Sequence, residues 1–498
     1  MHHRRLIHVA IFLLIFVLYS LFKKSPPPPS VKIELPVKPL KAFIYSAYYY
    51  PTSKSLGDNA LALLMSINLP PTPHFSTPDF KEIIISAENS TSSIVVRTPH
   101  HKVNYNDHCL IMTIFATAQL IPNVEKIKMV SDDGMTEIPF TKPSYVNRDV
   151  VVCVAPLFVS EQWQNFLFAV HIYKKYGAFV NLYLISAVNT FYNLMKEYEE
   201  AGYLSIKPWV YVKFSGIPKA IADTNSQIEL RSQAAAQSDC LLQYKEAAKF
   251  IMFFELEDVI IPRLAPTYVK EFQQLFNSDQ LSYIYYQREN YNAVVTRYGG
   301  RFSLKNMFGS LTYKNFREAG KSVVDPLRVN YTSLHFPSHV PEIEKYIVSE
   351  NVITHIKTVD WVDIIEDPNE KQVVEPLYYN GTSETIISKK DILDLEKDFR
   401  KMRKQLQLKK TLSKLPRIRY YSVLAYKCYT MKYYDLYYFN RRSGITCPGP
   451  LYCKFKQHPK INCMQANVTY SSMRKLLPIT YYYATDPHFS EDIGCHAH

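Results

Sequence analysis

Apolar and polar positions change rhythm near Asp149. Before it, short apolar runs at 42–50, 82–87, 93–97 and 109–116 are broken by Pro, Asn and Asp, a pattern that predicts a β-rich region over 41–148. After it, strand and helix patterns alternate. Residues 150–158 read as a buried strand; Ser160 is the expected N-cap of a helix carrying Trp163, Phe166, Leu167, Val170 and Tyr173, with Gly177 as its stop. A strand is expected at 178–185, a helix at 189–202, a strand at 205–214, a helix at 227–245 and a buried strand at 249–254. Such alternation predicts a mostly parallel sheet with helices on both faces. Further on, Ile392, Leu395, Phe399, Met402 and Leu406 are spaced +3, +4, +3, +4, one apolar stripe on a helix. The last eighty residues show little periodicity of either kind.

The amino terminus adds a compartment. Arg4 and Arg5 precede an uncharged stretch from Leu6 to Phe22, then Lys23, Lys24 and Pro26 to Pro29. Seventeen helical residues span about 26 Å, enough for a thin secretory membrane. The sequence after Tyr19 lacks the small residues of a cleavage site, so a retained signal anchor is expected. The expected organisation is a cytoplasmic tail 1–5, a transmembrane helix 6–22, a Pro-rich stem 23–40, the β-rich region 41–148, an α/β domain 149–390, a basic amphipathic helix 391–420 and a Cys/Tyr-rich tail 421–498.

Charge and cysteine refine this picture. The chain has 58 Lys and Arg against 45 Asp and Glu, a net charge of +13. Most of the excess lies between Lys397 and Tyr420, where Asp398 is the only acid, and the rest is nearly neutral, so nucleic acid is not an expected partner. Of the eight cysteines, Cys109, Cys153 and Cys240 precede the tail, and Cys428, Cys447, Cys453, Cys463 and Cys495 lie within it. Both sets are odd, so complete pairing requires at least one bridge from body to tail.

The common enzyme fingerprints GxGxxG, GxSxG and HExxH do not occur, and Gly320-Lys321-Ser322 lacks the earlier glycine of a phosphate loop. What carries chemistry is Glu255-Leu256-Glu257-Asp258, at the carboxyl end of an apolar strand. In an extended chain Glu255 and Glu257 point the same way, and the carboxyl ends of strands in an open α/β sheet are where ligands bind. Oxygen ligands there suit Mg²⁺ or Mn²⁺, which can neutralise a leaving diphosphate.

Around that turn the sequence resembles glycosyltransferase family 92. The likeness runs through Cys153, Pro156, Phe158, Glu161, Trp163, His171, Tyr173, Tyr176 and Gly177, then Gln233 to Leu241, Ala248 to Phe250, the acidic turn with Pro262, and Gly320-Lys321-Ser322 ahead of Pro326, Arg328 and His335. The resemblance implies an α/β, GT-A type nucleotide-diphospho-sugar transferase domain. It implies a single-pass type II Golgi membrane enzyme with a lumenal catalytic domain, using a UDP-sugar donor, a glycan acceptor and Mn²⁺ or Mg²⁺. Characterised relatives move galactose from UDP-galactose in β linkage with inversion. The family's turn looks like Asp-x-Asp plus an acid, whereas Glu255 and Glu257 each carry the carboxylate about 1.5 Å further out. Glu255, Glu257, Asp258 and His335 are the expected metal ligands; Lys321 and Arg328 are expected at the diphosphate. Glu289, Glu318 and Asp325 are the candidate bases for the acceptor hydroxyl. The alternatives are a catalytically silent glycan-binding module with the same fold, or a membrane-tethered interaction protein.

Overall fold

Alternate residues of a single strand enter two different cores of the molecule. In the computed structural model, Val150, Val152 and Val154 of β8 (Arg148–Leu157) enter one core and Val151 and Cys153 the other. Both faces of a central strand are thus covered, as its unbroken apolar run requires. The structure describes residues 40–68, 82–103, 109–214, 224–228, 232–363, 376–378, 385–431, 447, 453, 456–471 and 475–495, all within one compact unit, Pro39–His498. The expected membrane span 6–22 and the stem up to residue 39 lie outside the described residues; among those described, no helix is long and apolar enough to cross a membrane.

Seven strands come from the expected β-rich region: β1 (Leu40–Tyr50), β2 (Ala60–Ile67), β3 (Glu82–Glu88), β4 (Ser93–Lys102), β5 (Met112–Gln119), β6 (Lys126–Ser131) and β7 (Gly134–Ile138). The large second sheet runs β11-β9-β8-β12-β16-β14-β17-β13, with β9 (Ala178–Leu184), β11 (Leu204–Pro208), β12 (Ala248–Phe254), β13 (Asp258–Val259), β14 (Tyr283–Thr296), β16 (Lys321–Val324) and β17 (Lys345–Val362). Its first four strands are parallel. The short β10 (Ser186–Val188) pairs elsewhere, and β15 (Thr312–Lys314) hangs on β14.

Helices α1 (Trp163–Lys175) and α2 (Asn189–Glu200) cover one face, and α3 (Gln233–Tyr244) the other, against β1 and β2. Gly177 ends α1 with φ +89°, a conformation that suits glycine. Ser160 is not the cap of α1; its N–H bonds Ser186 O, which ties it to the strand after β9, and Gln162 takes the cap position. The strand expected at 205–214 is shorter, Leu204–Pro208, and its pairing with β9 ends at the bond from Trp209 N–H to Leu184 O at 2.9 Å.

The amphipathic stripe forms α6 (Lys389–Gln405), after α4 (Tyr268–Leu275) and α5 (Leu304–Gly309), and buries Ile392, Leu395, Phe399 and Met402. Asp398, the one acid in its basic stretch, accepts from the buried His171 of α1 at 2.7 Å, so that histidine anchors a helix. Beyond α7 (Lys409–Lys414) and α8 (Tyr421–Tyr429), the tail is more regular than its sequence suggests. After the small pair β18 (Leu377–Tyr378) and β19 (Thr385–Ile387), it supplies β20 (Cys463–Tyr470), β21 (Ile479–Tyr482) and β22 (Ala484–Ser490). β20 pairs with β10 and carries β22 on its other edge, and β21 adds itself to β1 in parallel. Cys153–Cys240, Cys428–Cys453 and Cys463–Cys495 are local staples, while Cys109–Cys447 is the body-to-tail bridge that the odd counts demand.

Candidate active site

The alternation of β12 sends Phe250, Met252 and Phe254 to the α1 face and Ile251 and Phe253 to the α3 face. Glu255 continues on the α3 side, where Gln233 Nε2 at the start of α3 donates to its Oε1 at 3.1 Å. The chain then turns instead of extending: Asp258 N–H bonds Glu255 O at 3.1 Å, a β-turn that ends the alternation expected to align Glu255 with Glu257. The turn is largely withdrawn from solvent. Asp258 is fully buried and Glu255 retains 22 % of its side-chain surface, because β13 is drawn back into the sheet against β17.

Two buried cations close on these acids. Arg288 of β14 donates to Glu255 Oε2 at 2.9 Å and to Asp258 Oδ2 at 2.8 Å, and Lys321 Nζ lies 3.3 Å from Glu255 Oε2. Lys321 reaches this place because Gly320 passes directly over β14; a Cβ at Gly320 would stand 1.8 Å from Tyr286 O. On the other side His355 Nδ1 lies 2.8 Å from Asp258 Oδ1. Burial would raise the Asp258 carboxyl, but Arg288 and His355 outweigh it and hold the group at about 2. Glu257 moves the opposite way, pushed up by burial and by the neighbouring Glu255 carboxylate.

Among the candidate bases the structure brings only Glu318 to this cluster. Lys357 holds its Oε1, while Oε2 is buried without a hydrogen-bond donor, 3.7 Å from His355 Nε2. Glu289 accepts from Tyr291 at 2.6 Å on the face of β14 opposite Arg288. Asp325 and Arg328 are at the wrong end of the sheet. Strand β16 is antiparallel to β12, Val324 facing Ile251, so the residues after it run towards the amino end of β12, about 17 Å from the turn at 3.3 Å per residue. There Arg328 pairs with Asp325 at 3.5 Å. His335 stays near the cluster: its Nδ1 faces Gly320 O at 3.0 Å, and burial followed by the Lys321 charge lowers the ring to about 4. Neutral at pH 7, it donates from Nδ1 and keeps a lone pair on Nε2. The sequence reading missed Arg288 and His355. The signal for Arg288 was a cation inside an aromatic strand, Tyr285 to Tyr291.

Known proteins resemble this chain over nearly its whole length. A Caenorhabditis elegans protein described as a glycosyltransferase family 92 protein is 60% identical over 463 residues, 93% of this chain and 91% of that one. A second from the same organism, described alike, is 32% identical over 470 residues, 91% and 90% of the two chains. The family description Glycosyltransferase family 92 matches residues 148–403. The chain belongs to glycosyltransferase family 92. The crystal structure of S. aureus TarS 1-349 covers 42% of this chain and 60% of that one at a TM-score of 0.23 and 11% identity, too slight a likeness to argue from.

For a family 92 member the site must accommodate a nucleotide-sugar donor and a glycan acceptor. Among the described residues no group of three or more His, Cys, Asp or Glu side chains is gathered to hold a metal. Both oxygens of Asp258 are taken by Arg288 and His355, so it does not suit the ligand role expected of it. Glu257 is free of ion pairs among the described residues, and Glu255 lies beside it in the turn. A hard cation commonly takes one or two protein carboxylates and completes its shell with substrate phosphates. Glu257 and the Nε2 lone pair of His335 fit that partial role, whereas both oxygens of Glu255 are taken, Oε1 by Gln233 and Oε2 by Arg288 and Lys321; a histidine whose other N–H is held by a carbonyl is the usual form of a ligand.

Proposed function

We propose that this family 92 protein is an inverting hexosyltransferase that moves galactose from UDP-galactose onto a glycan hydroxyl in β linkage. The observation that supports transfer at this place is the acidic turn at the carboxyl end of β12, set between the buried Arg288 and Lys321. Lys321 and Arg288 oppose the negative charge of the donor diphosphate, and the three carboxylates keep the pair from being a simple anion trap. Glu257 and His335 would hold a divalent cation, which when bound would supply Lewis acidity for the departing diphosphate. Glu318 takes the acceptor proton at Oε2, the oxygen that lacks a donor, while Lys357 fixes its other oxygen. Attack from the side opposite the diphosphate inverts the anomeric centre. Galactose, the β linkage and a lumenal Golgi site behind a span at residues 6–22 follow the characterised relatives that the family resemblance brings.

The test is consumption of several UDP-sugars by the full-length protein, with acceptor glycans and with either Mn²⁺ or EDTA. UDP-galactose should be turned over in preference to the other sugars, giving a β product by NMR and losing activity in EDTA. Binding of glycans with no UDP-sugar consumed would support the silent-module alternative, and an α product would overturn inversion.

A further inference from the structure

A separate cavity of about 380 Å³ opens where the start of α2, the segment joining α7 to α8 and the loop ahead of β20 meet. Its size is that of a small-ligand site. Lys414, Arg417, His458 and Lys460 line it, and no carboxylate does. Among the described residues none of these three fully charged groups has an acidic partner, and Arg417 is steadied over the Tyr298 ring at 4.9 Å. Uncompensated cations converging on a concavity are unlike the scattered lysines of a solvated face, which usually stand near acids. Of the other polar lining side chains, Asn189 Nδ2 donates to Glu491 Oε1 at 2.7 Å. Thr190 Oγ1 is buried without a partner. The first turn of α2 has neither an acidic residue nor a side-chain cap, and the Asn189 N–H alone is satisfied, by Asn462 O at 2.9 Å.

The position ties this cavity to the transferase site. Strand β9 leads through β10 into α2, so the cavity stands on the same carboxyl edge as the acidic turn after β12. Two strand spacings separate β9 from β12 in the sheet, roughly 10 Å.

We propose that this cavity is a subsite for the anionic substituent, a sulfate, phosphate or carboxylate, of an acidic glycan. The donor inventory matches oxyanions, with Arg417 offering a bidentate fork and the lysines point charges. That the anion is carried on a saccharide rests on the chain's membership of a glycosyltransferase family; the identity of the donor sugar does not enter.

The test is calorimetric titration of the full-length protein with a sulfated disaccharide, its desulfated counterpart, inorganic sulfate and UDP. The sulfated sugar should bind at least ~10-fold more tightly than the desulfated one, as charge-assisted hydrogen bonds provide. That advantage should shrink with added salt and vanish in a Lys414→Gln, Arg417→Gln, Lys460→Gln variant, whose UDP affinity stays unchanged. Equal binding of the two sugars, or an advantage that survives in the variant, overturns the subsite. Inorganic sulfate binding as tightly as the sulfated sugar reduces it to an ion site and overturns the glycan assignment. Loss of UDP binding in the variant assigns the cavity to the donor and also overturns it. Each reading stands whether or not UDP-galactose proves to be the donor.

Discussion

Replacing Asp258 by Asn removes a charge and almost no volume from a carboxylate fully buried between Arg288 and His355. Those neighbours hold the carboxyl at about 2, against 3.8 for an ordinary Asp. The folded value is the depressed one. Its stabilising contribution is therefore present above the unfolded pKa and is lost as the pH falls through the folded one. Nearly two units, at roughly 1.4 kcal/mol each, amount to about 2 kcal/mol. Asn imitates the protonated acid, so Asp258→Asn should forfeit about that much. Arg288 retains Glu255 at 2.9 Å, so the loss should not reach the ~3–5 kcal/mol seen when a buried charge is left alone. Urea unfolding followed by tryptophan fluorescence should show the variant about 2 kcal/mol less stable at pH 7, with the gap closing between about pH 5 and pH 2. A gap below about 1 kcal/mol at pH 7, or one that is undiminished at pH 3, refutes the account of this carboxylate as an ion-paired anchor.

Glu257→Gln removes the carboxylate that has no ion pair. It should cut turnover at least ~100-fold in a steady-state assay, with the urea midpoint unmoved. Glu318→Gln should lower transfer to the acceptor by ~10²–10⁴-fold, measured as product formed, and leave the slow hydrolysis of donor by water much less affected. Arg328→Gln with Asp325→Asn, at the far end of the sheet, should leave kcat and KM within about twofold of wild type; a loss comparable to that of Glu257→Gln would place the donor elsewhere.

The sheet-building part of the fold was legible because burial writes itself into period and run length. The strands at β8, β9 and β12 and the stripe of α6 all lie within a few residues of their sequence positions. The tail was not legible, since β20, β21 and β22 are held by partners distant in sequence and by disulfides, which a local period does not report. At the site, the four-residue acidic segment located the chemistry, but its internal geometry depended on a turn hydrogen bond and on β17 drawing Asp258 inward. Arg328 and Lys321 looked equivalent as cations near one motif. The antiparallel course of β16 separates them, and strand direction cannot be read from one chain's charges.

The parallel pairing of β1 with β21 joins Leu40 to Ile479. On a ribosome adding about 5–20 residues per second, the first strand waits some 20–90 s for its neighbour to be made. Throughout that interval the Leu40–Phe43 end of β1 presents an unpaired edge of the kind that recruits other chains. Nascent copies are thus most vulnerable to one another just before synthesis ends, and a chain terminated anywhere ahead of Ile479 keeps that edge for its lifetime. Premature stop codons late in the message, beyond every residue of the transfer site, should therefore yield aggregates rather than shortened enzymes.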